Sequence, residues 1–208
     1  MPVVHLIDDD EQMRSSMGRL LGDAGYDVRS YAAAGDYLMT EPDDGAGCLL
    51  LSLHLPGVSG LQLQAALGRF PAYEHSIIFV SDDGQADVAA TVRAMQAGAL
   101  DFLTRPVDGD RLLAAVRGAV EHDALRRANQ ELSAGVRSRI ASLTVRERSV
   151  LQGISGGKLN KQLAAELGVS ERTIKADRAR VMRRLGTRSL AEMVMLLIEA
   201  RCDSGGLQ

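Results

Sequence analysis

The sequence predicts a doubly wound α/β domain on a five-stranded parallel sheet, joined by a long helix to a small all-α domain of four helices. Three observations predict it. Through residues 1–120, apolar runs of strand length alternate with stretches at helical spacing, the pattern of a parallel sheet covered on both faces. The run Leu49-Leu50-Leu51-Ser52-Leu53-His54-Leu55-Pro56-Gly57 reads as a buried strand stopped by a Pro-Gly turn. Ser52 then sits near the carboxyl end of that strand, where such sheets form their ligand crevice. Charge divides the chain as well: residues 1–120 carry 8 Lys and Arg against 17 Asp and Glu, and residues 121–208 carry 16 against 10. A polyanionic partner would therefore meet the second half.

Taken in order, Val3 to Ile7 is an apolar strand running into Asp8-Asp9-Asp10, and Met13, Met17, Leu20 and Leu21 mark one face of the helix that follows. Gly25 closes that helix. Tyr26 to Tyr31 reads as the second strand, residues 33 to 40 as a short helix, and Cys48 to Leu53 as the third strand. Leu61, Leu63 and Leu67 give the next helix, Ile77 to Val80 the fourth strand, Val88 to Ala97 a helix stopped by Gly98, and Leu100 to Thr104 the fifth strand. From Asp108 onward Leu112, Leu113, Val116 and Val120 keep helical spacing, continued by Leu125, Ala128 and Leu132. With no Pro in the way, this is a long helix acting as a semi-rigid spacer, with its break expected at Ser133-Ala134-Gly135 or soon after. Arg126 and Arg127 lie at helical spacings from Glu131, as on a solvated face.

Composition is ordinary for a globular protein, with 46% hydrophobic and 25% charged residues and a formal net charge of −3. Aromatics are 3% and Trp is absent, so the cores must be aliphatic and rich in Ala. Met1 to Leu6 leads straight into the acidic triplet, without the basic and apolar regions of a signal peptide or the length of a membrane span. A cytoplasmic protein without a membrane partner is expected. Cys48 and Cys202 lack partners at zinc-ligand or redox spacing and read as reduced thiols.

Polar groups gather at the strand ends: Asp8 and Asp9 after the first, Ser52 at the third, Ser81 at the fourth, and Arg105 after the fifth. Residues 1–120 thereby resemble the receiver domain of bacterial response regulators, a flavodoxin-like fold. In that family an acidic pair binds magnesium, an Asp at the third strand end accepts a phosphoryl group from a histidine kinase, a Ser or Thr and an aromatic act as a switch, and a Lys clamps the phosphate. The resemblance assigns Asp8 and Asp9 to the acidic pair, Ser81 and Phe102 to the switch, and Pro106 to the proline after the clamp. Two positions depart from it. Ser52 stands where the family has its phosphoacceptor, and Arg105 where it has Lys. A neutral hydroxyl is a poor nucleophile without a base and a weak ligand for a hard cation. Aspartyl phosphorylation at position 52 is excluded by chemistry, and magnesium binding is weakened. A guanidinium can instead bridge two acids, so Arg105 is expected either to pair with Asp8 or Asp9 or to point to solvent. Asp10 and His54 read as surface residues of their loops.

In the second half Thr144 and Glu147 form a capping box ahead of Val150, Leu151 and Ile154. Residues 160–167, Gly168 and a helix from Glu171 to Leu185 capped by Ser170 then give helix, tight turn, helix, the geometry that projects a second helix into a major groove. On that helix Ile174, Val181 and Leu185 share one stripe, and Arg172, Lys175, Arg180 and Arg183 lie opposite it with Ala176 and Ala179. Basic side chains there reach phosphates and base edges, and alanines permit close approach. Residues 140–201 resemble the LuxR-type helix-turn-helix domain through Leu143-Thr144, Arg146-Glu147-Arg148, Val150-Leu151, Asn160-Lys161, Leu163-Ala164, Leu167, Ser170, Thr173-Ile174-Lys175 and Leu185-Gly186. Asp177 replaces the family's common His, with altered contacts expected at the edge of the recognition helix. Leu190, Met193, Val194 and Leu197 form an apolar stripe that is either the family's dimer contact or part of the domain core.

Together the two parts resemble a NarL/FixJ-type response regulator whose receiver has lost its phosphorylation chemistry. The expected arrangement is a receiver-like domain over residues 1–120, a linker helix over 121–140 and a DNA-binding domain over 141–208. The implied function is transcriptional regulation without catalytic activity, with double-stranded DNA and a second copy of the chain as partners and no required cofactor. Asn160, Lys161, Arg172, Thr173, Lys175, Ala176, Arg180 and Arg183 are the expected DNA contacts. The input is then a protein partner, a small molecule or concentration. Two other readings stay open: phosphorylation elsewhere, for example on Asp9, and an interaction module that titrates another regulator.

Overall fold

The computed structural model describes residues 1–41, 45–70, 75–82 and 88–202, with side chains described as far as residue 198. The chain forms two compact units, Met1–Arg127 and Ala128–Gln208. No described helix is long and apolar enough to cross a membrane.

The first unit alternates β1 (Val3–Ile7), α1 (Glu11–Asp23), β2 (Asp27–Tyr31), α2 (Ala34–Leu38), β3 (Gly47–Ser52), α3 (Gly60–Leu67), β4 (Ser76–Asp82), α4 (Val88–Gln96) and β5 (Asp101–Arg105), then enters α5 (Gly109–Ala141). The five strands are all parallel in the order β2-β1-β3-β4-β5. Side-chain alternation sorts the apolar runs into two cores. Val4, Leu6, Cys48, Leu50, Ile78 and Val80 pack with Met17 and Leu21 of α1 and Leu112 and Val116 of α5. Ile7, Leu49, Leu51, Ile77 and Phe79 face the other way, onto Tyr37 of α2, Leu63 and Leu67 of α3 and Ala94 of α4. Burial on both faces is why the β3 run shows no polar alternation. It also pushes the Cys48 thiol up to about 12, with Asp123 adding to the rise, which keeps that sulfur protonated.

Strand boundaries differ by a residue or so from those expected. β3 ends at Ser52 and β5 runs one residue further, through Arg105, so both side chains stand at the rim of the sheet. Gly60 fixes the approach of α3 to that rim. A Cβ there would collide with the Ser52 carbonyl oxygen and the Phe79 ring.

The larger difference concerns α5. The expected break at Ser133 to Gly135 does not occur, and the helix continues to Ala141. A single helical Gly costs only about 1 kcal/mol. Packing offsets it: Ser133 and Val136 are buried, Ile140 packs on the core of the second unit, and Arg139 donates from Nη1 to the Leu185 carbonyl at 2.9 Å.

The second unit adds α6 (Val145–Ser155), α7 (Asn160–Leu167), α8 (Glu171–Leu185) and α9 (Leu190–Cys202). Thr144 and Glu147 make both bonds of the capping box on α6. Gly168, at φ +65°, ends α7, and the Ser170 hydroxyl accepts from the Thr173 amide at the start of α8. Val150, Leu151, Ile154, Leu163, Ile174, Val181 and Leu185 form the core. Between those apolar residues Lys175, Ala176, Ala179, Arg180 and Arg183 of α8 are exposed.

Candidate functional site

At the carboxyl edge of the sheet Asp8 follows β1 and is 1% exposed, whereas Asp9 is exposed to solvent. Asp10 serves as N-cap of α1, accepting from the amides of Gln12 and Met13. The Asp8 carboxylate accepts from the Asp10 amide at 3.0 Å through Oδ1 and from Arg105 Nη2 through Oδ2. Arg14 Nη1 donates to the Asp8 carbonyl at 2.6 Å. Burial raises the Asp8 carboxyl above its ordinary value, while the Asp10 amide and the Arg105 guanidinium pull it back.

Arg105 is largely covered, its side chain 13% exposed. Its Nη1 donates to Asp82 Oδ1 at 3.1 Å, so the guanidinium joins Asp8 to Asp82. Of the partners left open by the sequence, the structure brings Asp8 to Arg105. Sequence reasoning missed Asp82, whose signal was available: it follows Ser81 and stands opposite Arg105 in the β4–β5 register. Ser52 is 5% exposed and its Oγ donates to the His54 carbonyl at 3.0 Å. His54 itself is exposed. Ser81 is buried with its Oγ unpartnered among the described residues. Phe102 is half-buried and stacks on Phe79, with ring centroids 6.2 Å apart.

Asp8 and Ser52 are poorly disposed to hold magnesium. A hard divalent cation takes oxygen ligands, usually with one or two carboxylates among them. Both Asp8 oxygens are already bonded, one of them to a cation, and the Ser52 hydroxyl is turned to a carbonyl. Among the described residues no group of three His, Cys, Asp or Glu side chains is arranged to hold a metal.

A second polar cluster lies at the opposite edge of the sheet, and the sequence did not announce it. Asp123 of α5 is wholly buried and accepts from the Gly47 amide at 3.0 Å, Arg126 at 2.7 Å and Arg127 at 2.8 Å. Burial by itself would raise this carboxyl. Hydrogen bonds involving His75, Arg126, Arg127 and the Gly47 amide outweigh it and hold the group well below the ordinary range. Arg126 and Arg127 thus serve a buried acid, a correction to their reading as a solvated face.

On the second unit Arg172, Lys175, Ala176, Ala179, Arg180 and Arg183 are exposed along one side of α8. Thr173 is half-buried at its start, with Oγ1 2.9 Å from Ser170 Oγ. Lys161 is exposed on the first turn of α7, and half-buried Asn160 accepts from Arg178 Nη1 at 3.0 Å. Asp177 corrects its expectation. It is 3% exposed and accepts from Arg146 Nε at 2.8 Å and Arg180 Nη1 at 3.4 Å, so it ties α8 to α6 and does not edge the outward face. The hydrogen bond from the Thr144 amide, chief among several influences, lowers the Glu147 carboxyl, which also meets Arg184 at 3.3 Å.

The apolar stripe of α9 divides. Met193 is fully buried in the unit's own core, which removes it from the expected dimer contact, and Leu197 packs partly against the same core. The reason is helical geometry: the stripe is wide enough to present one side inward and another outward. Leu190 is 44% exposed and Val194 half-buried.

Comparison with known proteins adds to this geometry. The family model described as "Response regulator receiver domain" matches residues 4–117, and that described as "Bacterial regulatory proteins, luxR family" matches residues 141–197. The chain is 39% identical over 194 residues to Nodulation protein W of Bradyrhizobium diazoefficiens, covering 93% of this chain and 84% of that protein. It is 35% identical over 197 residues to Transcriptional regulatory protein FixJ of the same organism, covering 95% of each. Among solved structures it is similar to response regulator StyR, with 37% identity, a TM-score of 0.80 and coverage of 95% and 98% of the two chains. Full-length FixJ from B. japonicum gives 34% identity and a TM-score of 0.55, covering 97% and 98%.

Proposed function

We propose, from the premise that this chain belongs to the response regulators that couple a receiver domain to a LuxR-family DNA-binding domain, that it regulates transcription without aspartyl phosphorylation of its receiver. Binding to DNA follows from the second domain. What supports the finer reading is one observation: Arg105 occupies Asp8 from inside the protein, and Ser52 stands at the phosphoacceptor position. A guanidinium supplies there the positive charge that the family draws from a metal, and a hydroxyl without an adjacent base does not attack phosphorus.

The receiver is accordingly held in one state, and occupancy of DNA is set by the amount of protein or by another input. Lys161, Arg172, Lys175, Arg180 and Arg183 make the phosphate and base contacts, joined by Asn160 and Thr173, and Ala176 allows the helix close to the groove floor. A second copy of the chain binds the adjacent half-site, with Leu190 and Val194 in the contact. The protein acts where the chromosome is, in the cytoplasm, and catalyses no reaction.

Intact-mass measurement after incubation with acetyl phosphate and magnesium tests this reading. The expected result is an unmodified chain. An acid-labile phosphoryl adduct would overturn it and bring forward Asp9, the exposed acid of the pair.

A further inference from the structure

Around α8 Asp177 falls between buried Val181 and exposed Arg180, and its two carboxylate oxygens have different partners. Oδ2 accepts from Arg146 Nε of α6 at 2.8 Å, and Oδ1 accepts from Arg180 Nη1, almost one turn further along α8, at 3.4 Å. The carboxylate is only 5% exposed, so its tie to α6 limits where Oδ1 can point. Arg146 also offsets its charge, and with it the repulsion that an acid on a DNA-binding helix would exert on phosphate.

Arg180 differs in this from its neighbours. Arg172, Lys175 and Arg183, the other basic side chains on the exposed side of α8, have no hydrogen-bond or ion-pair partner among the described residues. Arg180 is held at Nη1, whereas its Nε and Nη2 have no partner among the described residues and more than half of the side chain is exposed. Nε and Nη2 share one edge of the planar guanidinium. An arginine fork of that kind matches the O6 and N7 acceptors of guanine in the major groove.

We propose that Asp177 is a positioning residue for base recognition: it holds Arg180 so that the Nε and Nη2 edge reads one guanine in each half-site of the bound DNA. A mobile cation is sufficient to neutralise a phosphate. A fork held at one corner loses less freedom on docking and fits fewer partners, which is what sequence readout needs. This inference rests on the reading of α8 as the helix that meets DNA, and within that reading it gives Arg180 the base contact.

The test uses the full chain and a DNA fragment that it selects from a random pool, with each base pair of the fragment exchanged in turn. The wild type should prefer G over A by at least about tenfold at one pair per half-site. Arg180→Lys keeps the charge and loses the fork, so that preference should fall below about threefold. A base contact neutralises no phosphate, so Arg180→Ala should leave the slope of log affinity against log salt unchanged. Asp177→Asn keeps the shape and one oxygen, which goes to Arg146; its amide then meets Arg180 donor against donor. The variant should lower the preference at that same pair at least about threefold and leave the other pairs as they are, which a purely structural role would not do.

NMR of the wild type without DNA gives an arm that needs no Asp177 variant. Separate, slowly exchanging Nη1 and Nη2 signals are expected for Arg180, against averaged ones for Arg172 and Arg183. Averaging at Arg180, an equal loss at every base pair in Asp177→Asn, a salt slope lowered by about one in Arg180→Ala, or a guanine preference that survives Arg180→Lys each overturns the assignment. Lys175→Ala distinguishes that failure from failure of the reading beneath it: if affinity and salt slope are unchanged there too, α8 does not meet DNA and both fall.

Discussion

Replacing Arg105 with Ala leaves the Asp8 carboxylate inside the protein without its cation. Asp8 is 1% exposed and Arg105 13%, so solvent does little to screen the loss. Removing one partner of a buried ion pair costs about 3–5 kcal/mol. The outer contact, with Asp82 at 52% exposure, adds less than about 1 kcal/mol. Asp8 can relieve part of the penalty by taking up a proton, since burial raises its pKa even with the guanidinium present. Removing Arg105 raises it further. A carboxyl whose folded pKa exceeds its unfolded value binds more protons folded than unfolded, so stability falls as pH rises between the two values. The deficit of Arg105→Ala should therefore be small near about pH 4 and grow toward neutrality, each pKa unit adding about 1.4 kcal/mol. Urea unfolding followed by circular dichroism at about pH 4.5 and about pH 8 measures both limbs. We expect a loss of about 3 kcal/mol at the higher pH and less than half of that at the lower. A deficit under about 0.5 kcal/mol at both would refute the pairing, because a solvent-pointing Arg predicts that value.

Asp123→Asn keeps the shape of a wholly buried side chain but removes the charge that Arg126 and Arg127 serve; it should cost about 3 kcal/mol at neutral pH. Because the native carboxyl is held below its ordinary value, its contribution is present above about pH 4 and is lost as pH falls through the lowered pKa, so acid unfolding curves of the two proteins should converge. Lys175→Ala, exposed on α8, should leave the melting temperature unchanged and reduce the slope of log affinity for a selected genomic DNA fragment against log salt by about one. An unchanged slope would remove Lys175 from the interface. Gly60→Ala should destabilise by about 1–3 kcal/mol in the same urea assay, since its Cβ has backbone on one side and the Phe79 ring on another.

Much of this architecture was legible because local pattern and tertiary role coincide. The Leu49 to Leu53 run is apolar because both of its faces are covered, and Thr144 with Glu147 announces α6 because the cap is made within four residues. The unforeseen features depend on contacts distant in sequence. Asp82 matters through the register of β4 with β5, and Asp123 through the Gly47 amide, 76 residues away. Asp177 has the spacing of an edge residue of α8, but Arg146 of α6, 31 residues earlier, holds it. Gly135 signals a helix end by propensity, and packing around it reverses that signal. Met193 shares its spacing with Leu190 and Val194, yet spacing alone does not separate the inward side of a broad stripe from the outward side.

In the proposed reading a built-in cation, Arg105, takes the place of a metal-borne phosphoryl group. The affinity of the purified full-length chain for a selected DNA fragment, taken with and without acetyl phosphate and magnesium together, tests this substitution. The same dissociation constant is expected in both conditions, in the wild type and in Asp9→Asn alike. A gain of tenfold or about 1.4 kcal/mol that appears only with both additions present would contradict it.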